Sequence, residues 1–166
     1  MPSIEFKADA ARAAIREAKA LLADMTPIFQ DVQEYMVEVT RKRFSTGTAP
    51  DGSAWAKKSE ATIARYKALG YGALRRPLIG PGRRLSREIS GVSTREGAVI
   101  GSSLIYSRVM QEGAERGAFG TNSRGRPIPW GRIPARVWLG ISAQDEREIV
   151  AIAEEHIQSK LDGGQP

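Results

Sequence analysis

Residues 70–86, "GYGALRRPLIGPGRRLS", set four glycines, two prolines and four arginines into seventeen positions, and residues 117–132 repeat the glycine and arginine bias around Trp130. Proline fixes φ and removes a backbone donor, while glycine adds to the entropy lost on ordering, so neither stretch supports a packed helix or strand. Both are expected as long basic loops, the first of them mobile. The ordered elements must lie between and beside them.

Ala11, Ile15, Ala18, Leu22 and Met25 recur at three- and four-residue steps, which predicts an amphipathic helix over about 8–24 with a small-residue stripe. Thr26 and Pro27 then read as a capping hydroxyl followed by a first-turn proline. The apolar face of this second helix is Ile28, Val32, Met36 and Val39, running to about Phe44 with Gly47 as the stop. A Pro-Asp-Gly turn in "GTAPDGSAW" marks an exposed loop that ends by anchoring Trp55, and Ser59 caps a short helix through Ile63, Tyr66 and Leu69, closed by Gly70.

Residues 85–92 and 97–102 flank "STRE" with apolar side chains at Ile89, Val92, Ala98 and Ile100, the pattern of a hairpin. Residues 104–112 fit a short helix or a continued strand, ended by Gly113. Ser142 and Asp145 have capping-box spacing and open a last helix on Ile149, Ile152, Ala153 and Ile157. This order predicts an α+β domain over residues 1–162, N-terminal helices and a C-terminal helix packed on a small antiparallel sheet, with a disordered tail at 163–166. The chain's 166 residues are of one-domain size.

Charge is unevenly placed. Residues 1–40 hold 4 basic and 7 acidic groups, residues 41–136 hold 19 and 6, and residues 137–166 hold 2 and 6, which gives nets of −3, +13 and −4. A basic block between acidic ends favours a polyanion or an acidic protein face as partner. No apolar run is long enough to span a membrane and the first residues lack a signal-peptide layout, so a cytoplasmic site of synthesis and no membrane partner are expected.

Little of the chain is suited to catalysis. The absence of cysteine removes disulfides, thiolate chemistry and cysteine-held metals, and His156 alone cannot build a histidine metal site or triad. "GISAQ" at 140–144 lacks the final glycine and the strand-to-helix setting of a hydrolase elbow, which leaves Ser142 as a helix cap. "GPGRRL" at 80–85 breaks the dinucleotide pattern at Leu85, and Asp51, Glu60, Glu88, Glu96, Glu112 and Glu115 are scattered among arginines. No enzyme activity, cofactor, metal or small-molecule substrate is expected.

The remaining candidates are contact residues. Arg75, Arg76, Arg83 and Arg84 lie in one loop, and Arg124, Arg126, Arg132 and Arg136 lie in or beside the other. Arginine suits bidentate contacts with carboxylates or phosphates, and Trp55, Trp130 and Trp138 are the residue type that anchors interfaces. In "GRIPARVWLGIS" the proline stiffens an extended arm, Trp138 and Leu139 anchor it in the core or in a neighbouring subunit, and Arg132 and Arg136 aim at acidic groups.

Four motifs in order resemble the phage virion morphogenesis family, the tail-completion proteins of Mu-like and related tailed phages. These are "PDGSAW", "PLIGPGRRLSREI", "GAVIGSSLIYSRVMQEG" and "RIPARVWLGISAQDEREI", and the resemblance runs from about Phe44 to the closing helix. Met110 stands where the family often has histidine, and Val137-Trp138 replaces its Pro-Phe. The resemblance implies a structural virion protein, made in the host cytoplasm, at the head-proximal end of the tail or the head-tail junction. It implies a homo-oligomer, a hexameric ring, that docks tail tube and head-tail connector proteins and contacts packaged DNA weakly. Two rival readings remain: a basic nucleic-acid-binding module, for which no helix-turn-helix is visible, and an enzyme with a hidden carboxylate site.

Overall fold

A computed structural model of the chain describes residues 9–162. The elements are α1 (Asp9–Ala23), α2 (Thr26–Thr46), α3 (Glu60–Ala68), α4 (Arg84–Arg87), β1 (Ile89–Ser93), β2 (Ala98–Ser102), α5 (Ser107–Glu112) and α6 (Ala143–Asp162). The fold is α+β. The expected tail at 163–166 lies outside the described residues, as does the side chain of Ala11.

α2 organises the packing. The hairpin β1–β2 lies on it, and α6 packs against both α2 and α1. The strands pair antiparallel with Ile89 opposite Ser102, Gly91 opposite Ile100 and Val92 opposite Val99. Because successive side chains alternate, this register turns Ile89 into the core and Val92 and Val99 outward. Val92 and Val99 are 67% and 75% exposed, so the apolar pair lies on the solvent face of the expected hairpin. The first strand is also shorter than expected, because residues 84–87 form a helical turn that buries Leu85.

Two apolar clusters result. One gathers Ile28, Val32 and Met36 of α2 with Ile149, Ile152 and Ala153 of α6. The other gathers Phe44, Trp55, Leu85, Ile89, Leu104 and Trp138. Phe44 meets the Trp55 ring edge-to-face at 5.2 Å and the Trp138 ring at 6.1 Å. Aromatics of this size remove about 150–250 Å² each from water, an upper bound of roughly 4–6 kcal/mol apiece. The stripe expected on α1 is not covered in this way, since Ile15 and Leu22 are 68% and 62% exposed.

Element ends follow local chemistry. α2 starts where expected, but the cap is the Asp24 carboxylate, which accepts from the Thr26 N–H at 3.1 Å and hydroxyl at 2.5 Å, and not the Thr26 hydroxyl. Gly47 closes α2 in the left-handed conformation, its N–H donating to the Arg43 carbonyl at 2.7 Å. Ser59 caps α3 as expected. At α6 the capping box is complete: the Asp145 N–H donates to Ser142 Oγ at 3.1 Å and the Ser142 N–H to Asp145 Oδ2 at 2.7 Å.

Asp145 is also the inner partner of a buried ion pair. Its Oδ2 lies 2.5 Å from Arg43 Nη2, its Oδ1 accepts from the Tyr35 hydroxyl at 3.0 Å, and Arg43 Nη1 donates to the Gly140 carbonyl at 2.7 Å. Burial pushes the Asp145 carboxyl upward, yet Ser142, Tyr35 and Arg43 outweigh it and hold it below its ordinary 3.8. Burial and the bond to Asp145 push the Tyr35 hydroxyl up to about 12.

Loop 70–86 is less free than its composition predicts. Lys58 Nζ donates to the carbonyls of Leu74 at 2.7 Å and Ile79 at 2.5 Å, which pins the loop to the start of α3. Gly113, at φ 78 and ψ −178, ends α5, and a Cβ there would stand 2.7 Å from both Ala135 N and Ile133 O.

Two substitutions test this account. Asp145→Asn leaves Arg43 buried without a counter-charge and is expected to cost about 3–5 kcal/mol, lowering Tm by roughly 10 °C. A carboxyl whose folded pKa is depressed stabilises above its unfolded value and loses that contribution as pH falls through the folded one. The Tm gap between wild type and variant should therefore be full at neutral pH and shrink below about pH 4; a gap constant into strong acid would contradict the pairing. Gly113→Ala should cost about 3 kcal/mol by thermal melting, against about 1 kcal/mol for Gly125→Ala, where the added methyl meets nothing within 4 Å.

Candidate interaction surface

Segment 131–142 does two jobs, and its residues divide between them. Trp138 is buried, its indole N–H donating to the Ser107 carbonyl at 3.2 Å, and Trp55 Nε1 reaches the Val137 carbonyl at 2.8 Å. Gln111 takes the place of a neighbouring strand: its Oε1 accepts from the backbone N–H of Trp138 at 2.9 Å and Leu139 at 3.0 Å, and its Nε2 donates to the Leu139 carbonyl at 2.7 Å. Both tryptophans are thus core anchors of this chain, and the expectation that they are interface anchors is corrected for Trp55 and Trp138.

Arg136 is corrected on the same ground. It is buried, with Nε donating to the Ala56 carbonyl at 2.7 Å and Nη2 to the Lys57 carbonyl at 3.0 Å, and burial depresses its pKa. A guanidinium spent on these two carbonyls and, more weakly, on that of Pro134 ties the arm to the Trp55 loop and has no free face for a partner. Lys58 beside it is likewise held down, first by burial and then by the repulsion of Arg136.

These two cations are the posts of a cleft of about 590 Å³. Leu78, Leu85, Tyr106, Met110 and Ile133 give it an apolar floor, and Lys57, Arg83, Arg84 and Arg132 stand around it. Residues from four separate stretches of sequence meet here, which is why spacing alone did not join them. The cleft has no carboxylate in its lining. Arg84 is paired with Glu88 and Arg132 with Glu115 on its outside, both at exposed sites where such pairs contribute about 1 kcal/mol or less.

The other expected residues go elsewhere. Arg75 and Arg76, both exposed, line a shallower groove with Arg41 and Arg83, and Arg75 lies 3.7 Å from Glu60. Residues 114–133 form a projecting arm, a ladder that starts at the Ala114–Ile133 bridge and continues through Gly117–Pro129 and Phe119–Ile128 backbone bonds. At its tip the Asn122 side chain accepts from the N–H groups of Arg124 at 2.9 Å and Arg126 at 3.0 Å, leaving both side chains exposed. Trp130 and Phe119 on the arm are 71% and 56% exposed.

No catalytic constellation forms around the remaining candidates. Ser142 is spent as a cap, and His156 pairs with Asp31 at 2.7 Å, tying α6 to α2. Among the described residues no group of three acidic or histidine side chains is placed to hold a metal ion, and no helix is long and apolar enough to cross a membrane. Sequence reading missed Lys57 and Lys58 of the cleft and the whole Arg43–Asp145 network. The available signal was the Lys57-Lys58 pair, separated from Trp55 by one residue, where a cation has carbonyls close at hand.

Neither any curated protein nor any solved structure matches the chain. The sequence pattern of the phage virion morphogenesis family matches residues 6–158, so the chain belongs to that family and has a structural role in building a phage particle.

Proposed function

We propose that the protein acts at the head-proximal end of the tail or at the head-tail junction, associates with copies of itself into a ring of six, and docks tail tube and connector proteins there without catalysis. The observation that carries this reading is the projecting arm. A ladder with Phe119, Ile128 and Trp130 at 56%, 40% and 71% exposure leaves much of its apolar surface open beside an arginine tip. Large apolar groups gathered on an exposed element mark a contact surface, and tryptophan beside arginine is the composition that carries most contact energy. The match to a virion assembly family supplies the setting.

A second reading, contact with packaged DNA, rests on Arg124 and Arg126 at the same tip. Binding of that kind falls steeply between low and moderate salt, whereas an apolar protein contact does not.

Phe119→Ser with Trp130→Ala tests the proposal in the phage itself. These side chains touch little of their own chain, so Tm should stay within about 2 °C while association weakens by roughly 2 kcal/mol per anchor, or about 30-fold. Electron microscopy of lysates should then find full heads beside separate tails if the protein completes or joins the tail, and overlong tubes if it terminates it. Ordinary infectious particles at normal yield would overturn the assignment.

A further inference from the structure

We infer that the cationic cleft receives helix α6 of a second copy of this chain, through a stripe made by Glu146, Val150, Glu154 and Ile157. The inference rests on the self-association proposed above and names the two surfaces that meet.

The cleft is built before any partner arrives. Lys58 and Arg136, close to each other in the lining, are each engaged with backbone carbonyls, so their positions are set by the fold. Beside them lies an apolar floor, and around it Lys57, Arg83, Arg84 and Arg132 are exposed to solvent. The ligand such a site selects has apolar side chains flanked by carboxylates. An apolar group alone would strand the cations against it, and an isolated anion would leave the floor wet.

α6 carries that pattern on its exposed side. Positions 146, 150, 154 and 157 fall within an arc of about 80° and span roughly 16 Å along a helix. Val150 is 54% exposed and Ile157 37%, with Glu146 and Glu154 exposed between and beside them. The core-facing residues of the same helix, Asp145, Ile149, Ile152 and Ala153, are spent on α2 and α1. The helix has six acidic residues against two basic ones, while the cleft lining has no carboxylate and four exposed cations, Lys57, Arg83, Arg84 and Arg132, beside the engaged Lys58 and Arg136.

No α6 residue lines the cleft, so each chain presents both halves of the contact at once. Cleft to stripe is then a head-to-tail arrangement, which continues from copy to copy and closes if the rotation allows. An acidic helix of a different virion protein is the competing occupant.

The test uses the full chain in sedimentation velocity at low salt. A cleft variant carries Arg83→Glu and Arg132→Glu, and a stripe variant carries Glu146→Arg and Glu154→Arg. All four positions are exposed, so circular dichroism melts should match wild type. Each variant alone is expected to associate at least 100-fold more weakly than wild type. Mixed one to one, they should associate again as an alternating assembly, because the intact cleft meets the intact stripe and the reversed cleft meets the reversed stripe. A chain carrying all four changes should associate again, its charges exchanged. If wild type associates and both variants do so equally well, the contact is elsewhere and the inference fails while self-association stands. If only the cleft variant is impaired, the occupant is not α6 and the inference also fails. A wild type that stays monomeric at about 100 μM, a concentration well above the Kd expected of a standard-size interface, overturns both.

Discussion

The bond between Arg43 and Asp145 joins positions a hundred residues apart, and the geometry of the candidate surface descends from it. An unpaired carboxylate or guanidinium at this depth would be strongly destabilising, and the pair as a whole comes close to even against an apolar replacement. Its contribution is therefore selection of one arrangement more than net stability. Asp145 can satisfy Arg43, Tyr35 and the Ser142 N–H together only when α6 begins at one place on α2. Arg43 in turn holds the Gly140 carbonyl, which fixes the end of the segment carrying Arg136 and Trp138. With that end fixed, Trp138 packs beside Phe44, Arg136 reaches Ala56 and Lys57, and the wall of the cleft stands.

The basic block consequently contains two populations of cations. Arg43, Arg136 and Lys58 face inward and act on carbonyls and one carboxylate, where their loss would loosen the loops. Arg75, Arg76, Arg83, Arg124, Arg126 and Arg132 are exposed, and their pairing with Glu60 and Glu115 is of the surface kind that exchanges readily. Composition alone counts these together as +13 over residues 41–136. Only the outward group is available to a partner, so the field a neighbour meets is smaller than the sequence sum and concentrated at the cleft rim, the groove beside it and the arm tip.

Periodic segments were the most legible part of the fold. The apolar face of α2, the Gly47 stop, the Ser59 cap and the Ser142–Asp145 box were all readable because each depends on residues within a few positions of one another. Arg43 was not, since an arginine three residues before a helix end looks like an ordinary solvated cation until its partner arrives from α6. Trp55, Trp138 and Arg136 were assigned to contact surfaces because tryptophan and arginine favour both buried anchors and interfaces, and the deciding fact is long-range. Leu85 illustrates a third kind of miss. Glycine and proline before it described the backbone of residues 70–83 correctly as irregular, but irregular backbone is not free backbone when Lys58 ties it down and the helical turn that follows buries a leucine in the core.

Charge placement also constrains the symmetry of any self-association. In a two-fold contact the same patch meets itself, so a patch made of the cleft rim or the arm tip would set arginine against arginine, and one made of α6 would set glutamate against glutamate. Like charges brought together at an interface cost several kcal/mol and are a common way of excluding a partner. A head-to-tail contact avoids that cost by setting the basic middle of one chain against the acidic helix of the next. Under the proposed contact, an open chain of copies would leave one unsatisfied surface at each end until the assembly closes, which would favour a ring over a dimer. Because the rim charges are exposed, salt at physiological strength screens their attraction beyond about 8 Å. Under the proposed contact, steering between copies would be short-ranged, and the apolar floor of the cleft would supply the hold once they touch.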